Sequence, residues 1–173
     1  MTRSTTPSTG GPPAKLSSWI TVCLAGIGWS TTVPYSFSGA SIATVAWLLV
    51  GLALVVSDRQ ILSIATAGLV LGGFVAAGDG ARLIAVLVGV TAAVLAWDIG
   101  NNAISIGRQL GPDASTARIE YVHATASLVA GLCIIAITYL SSLLFTGPQP
   151  LIVVVYLLLA AGLITVVLSL RDG

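Results

Sequence analysis

The chain has 173 residues, 56% of them hydrophobic and only 8% charged, with a formal net charge of +1 and a mean hydropathy of +1.02. Soluble domains carry about a quarter charged residues, so a water-soluble fold is excluded; a near-neutral chain without a basic cluster also argues against nucleic acid as a partner. The apolar runs are long and uninterrupted, which excludes a transmembrane β-barrel and leaves an all-α, polytopic transmembrane helical bundle.

Residues 1–15 are rich in Ser, Thr, Gly and Pro without apolar periodicity, and they read as a disordered cytoplasmic tail. Residues 16–173 read as one transmembrane domain of about six spans, at 16–33, 40–56, 61–77, 81–106, 117–145 and 151–170. The first is the weakest, diluted by Ser17, Ser18, Thr21, Ser30, Thr31 and Thr32. With Arg3 and Lys15 ahead of it and Ser38-Gly39-Ala40 behind, it is open to two readings, a cleaved signal peptide or a retained helix. Its length and poor cleavage site favour retention. The later spans are separated by short breaks at Ser57-Asp58-Arg59-Gln60, Gly78-Asp79-Gly80 and Thr146-Gly147-Pro148-Gln149-Pro150, which force antiparallel neighbours. Small residues such as Gly68-x-x-x-Gly72, Gly51 with Ala53 and Ala126 with Ala130 permit close helix approach.

Lysine and arginine set the expected orientation. With the N-terminus inside, Arg3, Lys15, Arg59, Arg108, Arg118 and Arg171 are cytoplasmic and only Arg82 is outside, a clear positive-inside bias. The expectation is a multi-pass protein of the cell membrane with both termini cytoplasmic.

Polar chemistry gathers between spans four and five. Asp98, Asn101, Asn102, Ser105 and Gln109 recur on one helical face, while Ile99, Ala103, Ile106 and Leu110 lie away from it. Thr116, Glu120, His123 and Ser127 repeat the pattern beyond the helix stop at Leu110-Gly111-Pro112-Asp113. Arg82 to Leu110 as one helix measures roughly 43 Å, and the next span is similar, so the sequence predicts a long cytoplasmic-side hairpin whose tip leaves a ~30 Å core. Asp98 lies roughly 24 Å from Arg82, near the inner edge of that core.

An ionisable residue in a span is a functional candidate. Here the candidates are Asp98, Asn101, Asn102, Ser105, Gln109, Glu120 and His123. The plainest reading is that the two stripes satisfy each other; a binding site for a partner helix, lipid headgroup or small ligand is the next, and catalysis the last. HExxH, GxSxG and Walker-type motifs are missing, so no catalytic residue, cofactor site or metal site is expected. His123 with Asp98 and Glu120 could hold one ion only if all three converged. Cys23 and Cys133 lie in apolar segments and read as small hydrophobes.

Along Val94-Leu95-Ala96-Trp97-Asp98-Ile99-Gly100-x-Asn102-Ala103, Gly107-x-Gln109-Leu110-Gly111 and Thr116-Ala117-Arg118-x-Glu120-x-Val122-His123-Ala124-x-Ala126-Ser127-Leu128, the chain resembles a family of uncharacterised membrane proteins from halophilic archaea. Asn101, where the pattern has an acidic residue, and Arg108 depart from it and make the turn less acidic. Genes of that family tend to sit near a MoxR-type AAA ATPase and a DUF58-like protein, so the resemblance implies a membrane component of an assembly or maturation system. The expected function is accordingly a membrane subunit or anchor without enzymatic activity. Its partners would be the lipid bilayer and other membrane subunits or a cytoplasmic ATPase system. The rival is a small transporter or channel with a cytoplasmic-side polar vestibule around Asp98 and His123.

Overall fold

A computed structural model describes residues 15–110 and 117–144, with side chains for 15–107 and 121–143. The predicted tail, the turn between spans four and five and the predicted span at 151–170 lie outside the described residues. Five helices are described: α1 (Lys15–Ser30), α2 (Phe37–Val56), α3 (Arg59–Gly78), α4 (Leu83–Leu110) and α5 (Ala117–Leu144). Four stretches of these are long and apolar enough to cross a membrane, Phe37–Val56, Arg59–Gly78, Leu83–Gly107 and Tyr121–Leu143. The chain divides into two compact units, residues 1–137 and 138–173. In the second, the described residues are the last turns of α5, where Ser142 Oγ donates to Tyr139 O at 2.6 Å.

Helix ends follow from local chemistry. α1 has 16 residues and stops at Ser30, three residues before the predicted end at Val33. Pro34 has no N–H to give and disfavours a helical Val33, and the preceding Thr31 and Thr32 are β-branched. Their hydroxyls return to Gly28 O (2.9 Å) and Trp29 O (2.7 Å). α2 then starts at Phe37, ahead of the predicted Ala40, because extended Ser36 (φ −148°, ψ 121°) caps it by accepting from Gly39 N. Ser57 closes α2 in the left-handed region at φ 57°, its N–H reaching Ala53 O and Leu54 O. Asp58 caps α3 with its carboxylate on the N–H groups of Gln60 and Ile61 at 2.7 and 3.1 Å. Gly80 makes the turn after α3 at φ +94°, a conformation that side chains resist.

Helices α1 to α4 pack as an up-down-up-down bundle: α2 on α3, α3 on α4, and α4 back onto α1. The core is thin and alanine-rich, with Ala25, Ala43, Ala46, Ala53, Ala65, Ala93, Ala96 and Ala103 buried around Val50, Leu62, Ile99 and Ile104. Bulk is on the outside, where Phe37 is 91%, Val55 83% and Trp19 72% exposed. Water disfavours so much continuous apolar surface, whereas hydrocarbon accepts it.

Small residues bring the backbones together. A Cβ on Gly72 would stand 2.8 Å from Gly39 O, and one on Gly39 would stand 2.8 Å from Gly72 O, so α2 and α3 touch main chain to main chain. The α1–α4 seam is built similarly from Gly28, Gly89, Ala93 and Gly100; a Cβ on Gly100 would meet Thr21 Cγ2 at 3.1 Å. Indoles tie the remaining seams. Trp29 and Trp47 stack with centroids 5.6 Å apart. Their Nε1 atoms donate to Thr44 Oγ1 (2.8 Å) and Val22 O (3.2 Å) respectively. At the opposite end from Lys15, Ser36 Oγ donates to Asp79 Oδ2 at 2.5 Å, locking the start of α2 to the end of α3.

Candidate functional site

α4 has two faces. One carries Gly89, Ala93, Ala96, Gly100 and Ile104, all buried against α1 and α3. At about 100° per residue, Thr91, Leu95, Asp98, Asn102 and Ser105 fall on the opposite side, and this is where α5 lies. Gly89, Ala93, Ala96 and Gly100 on the first face are small, and at Gly89 and Gly100 neighbouring side chains come too close for a Cβ. Among the described residues, α5 is the helix that meets the second, more polar face.

The register of α4 is set by two contacts to α3. Trp97 Nε1 donates to Ser63 Oγ at 3.0 Å, and the space of a Gly100 Cβ is taken by Leu62 Cδ2. Ten residues of α4 follow Gly100, but only three of α3 precede Leu62, so α4 runs roughly 10 Å past the start of α3. Asp98 therefore sits beside the bundle, and the last turns of α4 beyond it.

Asp98 is met by two side chains of α5, one helical turn apart. Ser127 Oγ donates to Asp98 Oδ2 at 2.6 Å, a short charge-assisted bond. His123 Nε2 stands 3.2 Å from the same oxygen. This second approach lacks hydrogen-bond alignment: Nε2 is shielded from solvent and makes no hydrogen bond. The two side chains are 38% and 40% exposed, so the pair lies at the rim of the helix contact and not inside it. Further along the seam, a Cβ on Gly131 would come 2.8 Å from Leu95 Cδ1 and 3.1 Å from Thr91 Cγ2, so the two helices are close there.

The other predicted polar residues divide by position. Asn101, Asn102 and Ser105 are half-buried on α4. The side chains of Gln109 and Glu120 lie outside the described residues, as does Thr116. Among the described residues no three His, Cys, Asp or Glu side chains come together.

The chemistry of the cluster is that of a clasp. The carboxylate is in the middle, with serine and histidine as its two neighbours. A nucleophilic triad needs the imidazole between serine and carboxylate, so that it can take the serine proton. Here that proton points to Asp98.

Among the described residues, little covers α5 beyond the clasp. Only 6% of its apolar stretch is buried, against 33–39% for the other three. On its side turned away from α4, Tyr121, Val122, Thr125, Ala126, Val129 and Ala130 line an open, almost wholly apolar groove of about 560 Å³. Tyr121 and Val122 are two-thirds exposed. The Ala126–Ala130 spacing was visible in the sequence as a small-residue pair, but which side of α5 it would occupy was not. The small-residue seam on α4 was also present, as Gly89, Ala93, Ala96 and Gly100 at intervals of three or four. It is masked in the hydropathy pattern because its outward neighbours are equally apolar.

No curated protein and no solved structure matches the chain. A family model does, over residues 11–166, which includes α1 to α5 and the Asp98–His123–Ser127 clasp. The chain belongs to that family, described as a family of unknown function, DUF7519.

Proposed function

We propose that the chain is a multi-pass membrane subunit, an anchor within a larger assembly and not an enzyme. The carrying observation is the asymmetry of α5 among the described residues, one narrow edge clasped to α4 and the remaining surface uncovered. A helix held by one edge has surface left for a further helix, and the groove at Ala126 and Ala130 admits one that packs closely. In this reading six spans cross, the sixth at 151–170, with both termini and the α4–α5 hairpin cytoplasmic. Asp98, roughly 22 Å along α4 from Leu83, then lies in the inner third of a ~30 Å core. The resemblance to haloarchaeal proteins encoded beside MoxR-type ATPases supports other membrane subunits or a cytoplasmic ATPase system as partners. The competing reading is a small transporter or channel, favoured by the partial exposure of Asp98 and His123.

Two substitutions separate them. Asp98→Asn keeps shape and an acceptor, and in an anchor it costs about 1 kcal/mol or less. Asp98→Leu leaves the Ser127 hydroxyl without its acceptor, for about 1–3 kcal/mol. Stability in detergent and the set of co-purifying chains should fall together, with Leu worse than Asn. Equal and complete loss of a transport activity in both variants, at unchanged stability, refutes the anchor.

A further inference from the structure

We propose that Lys15 and Trp19, on the outward face of α1, together hold the phosphate of a phospholipid headgroup; the proposal rests on the membrane reading above. Helical spacing sets the face. Ser17, Thr21, Ala25 and Gly28 are buried, whereas Lys15, Trp19, Cys23 and Ile27, each four residues from the next, form an exposed stripe. Three of the four tryptophans use their N–H inside the bundle, Trp29 on Thr44 Oγ1, Trp47 on Val22 O and Trp97 on Ser63 Oγ. Trp19 is 72% exposed, and its Nε1 has no hydrogen-bond partner among the described residues. Lys15, the chain's single lysine, is also exposed and makes no ion pair among them. The carboxylates nearest that end are engaged elsewhere, Asp58 by the N–H groups of Gln60 and Ile61 and Asp98 by Ser127. An ammonium and an indole N–H on one face therefore call for an acceptor of negative charge from outside the chain.

The height of the pair on the bundle matches the edge of a bilayer. A Cβ on Gly100 would meet both Thr21 Cγ2 and Leu62 Cδ2, so α1, α3 and α4 are level at these three residues. One to three residues further out come Trp19 on α1, Arg59 and Gln60 on α3, and Asn101 and Asn102 on α4. Three apolar stretches thus give way to polar residues together, within roughly 5 Å along the helix axes. An indole favours that boundary, with its ring among acyl chains and its N–H towards the headgroups. Lys15 stands one turn farther out, roughly 6 Å, where a lysine reaches phosphate. Helical side chains lean towards the N-terminus, so the Trp19 ring overlies the turn that carries Lys15 and both donors can converge on one anion.

The test uses the full chain in phosphatidylglycerol bilayers and phosphate-free buffer, with 15N at lysine Nζ and tryptophan Nε1, read by 15N–31P dipolar dephasing in solid-state NMR. The lysine signal and one indole signal, the one missing in Trp19→Phe, should be dephased by lipid phosphorus. The three indoles bonded inside the bundle should not. Lys15→Gln should lower the occupancy of phosphate at Trp19 by up to about fivefold, and Lys15→Arg should keep it. Equal dephasing of Trp19 in the parent and in Lys15→Gln overturns the shared site. Dephasing that persists in bilayers of a phosphorus-free glycolipid, with inorganic phosphate added, assigns the pair to a free anion and overturns the lipid contact. Alkaline extraction of the same bilayers separates the two levels of failure. A chain removed by alkali refutes the membrane reading itself, whereas an inserted chain whose lysine is not dephased refutes the headgroup contact alone.

Discussion

The main-chain contact between α2 and α3 makes one substitution diagnostic when it is placed at two glycines. In Gly72→Ala the new methyl would stand 2.8 Å from Gly39 O, 3.1 Å from Ala43 Cβ and 3.3 Å from Ala43 N. The first is roughly half an ångström inside ordinary contact, and the obstacle is backbone, with no flexible end to swing aside. The helices must part, also loosening the neighbouring Gly68–Ala46 contact, where a Cβ has only 2.9 Å. Overpacking of this kind costs about 1–3 kcal/mol, and the upper half of that range applies because two rigid main chains meet. Alanine returns up to about 1 kcal/mol through helix propensity, so the net loss is about 1–2 kcal/mol. Gly51→Ala is the same chemical change in α2 at a position with nothing within 4 Å of the new methyl. It should stabilise by about 0.5–1 kcal/mol. Equilibrium unfolding in mixed micelles, followed by the fluorescence of the four tryptophans, measures both. Equal shifts, or a destabilised Gly51→Ala beside a neutral Gly72→Ala, would refute the described α2–α3 seam.

Two further outcomes follow from the ends of the helices. Asp58→Ala removes the carboxylate that accepts from Gln60 and Ile61 N–H, and it should cost about 1 kcal/mol in the same assay, with Asp58→Asn near neutral. For the proposed topology, single cysteines introduced at Gly80 and Asp113 in a chain lacking Cys23 and Cys133 should react with a membrane-impermeant thiol reagent from outside and inside respectively; labelling of residue 113 from outside only would invert the orientation.

Helix existence and helix ends were legible in the sequence wherever local chemistry speaks. The breaks at Ser57-Asp58 and Gly78-Asp79-Gly80 are seen as capped turns, and the Gly68–Gly72 pair lies in the α2–α3 seam. Val33 was drawn into the first span because it is apolar, although Pro34 ends the helix earlier. Hydropathy could not say which face of α2 is buried, because both faces are apolar. Size sorts part of that surface: Ala43, Ala46 and Ala53 face inward, joined by Val50 and Leu54, while Val45, Leu48 and Val55 face outward. Long-range polar pairs were beyond reach for a different reason. Ser36 with Asp79 and Trp97 with Ser63 are 43 and 34 residues apart, and a single chain's pattern has no term linking them. In the candidate cluster, the shared face of Asp98 and Asn102 follows from helical spacing. That the carboxylate would sit between serine and histidine depends on the rotation of α5 about its own axis, which no spacing within one helix encodes.

The pairing of α1 with α4 has a consequence for biogenesis. In α1 the side chains that α4 covers include Ser17 and Thr21, both fully buried, with Thr21 Oγ1 donating to Ser17 O at 2.8 Å. If the chain is inserted span by span as it is made, α1 leaves the ribosome about seventy residues before Gly100 can close over it. At roughly 5–20 residues per second that delay is several seconds. In the proposed topology the internal Thr21–Ser17 bond would keep that hydroxyl satisfied while α1 waits. Over the same interval the α2–α3 hairpin, joined by only Ser57 and Asp58, is already complete. The order of synthesis thus delivers the bundle as a finished inner pair around which its first and fourth helices must still find each other.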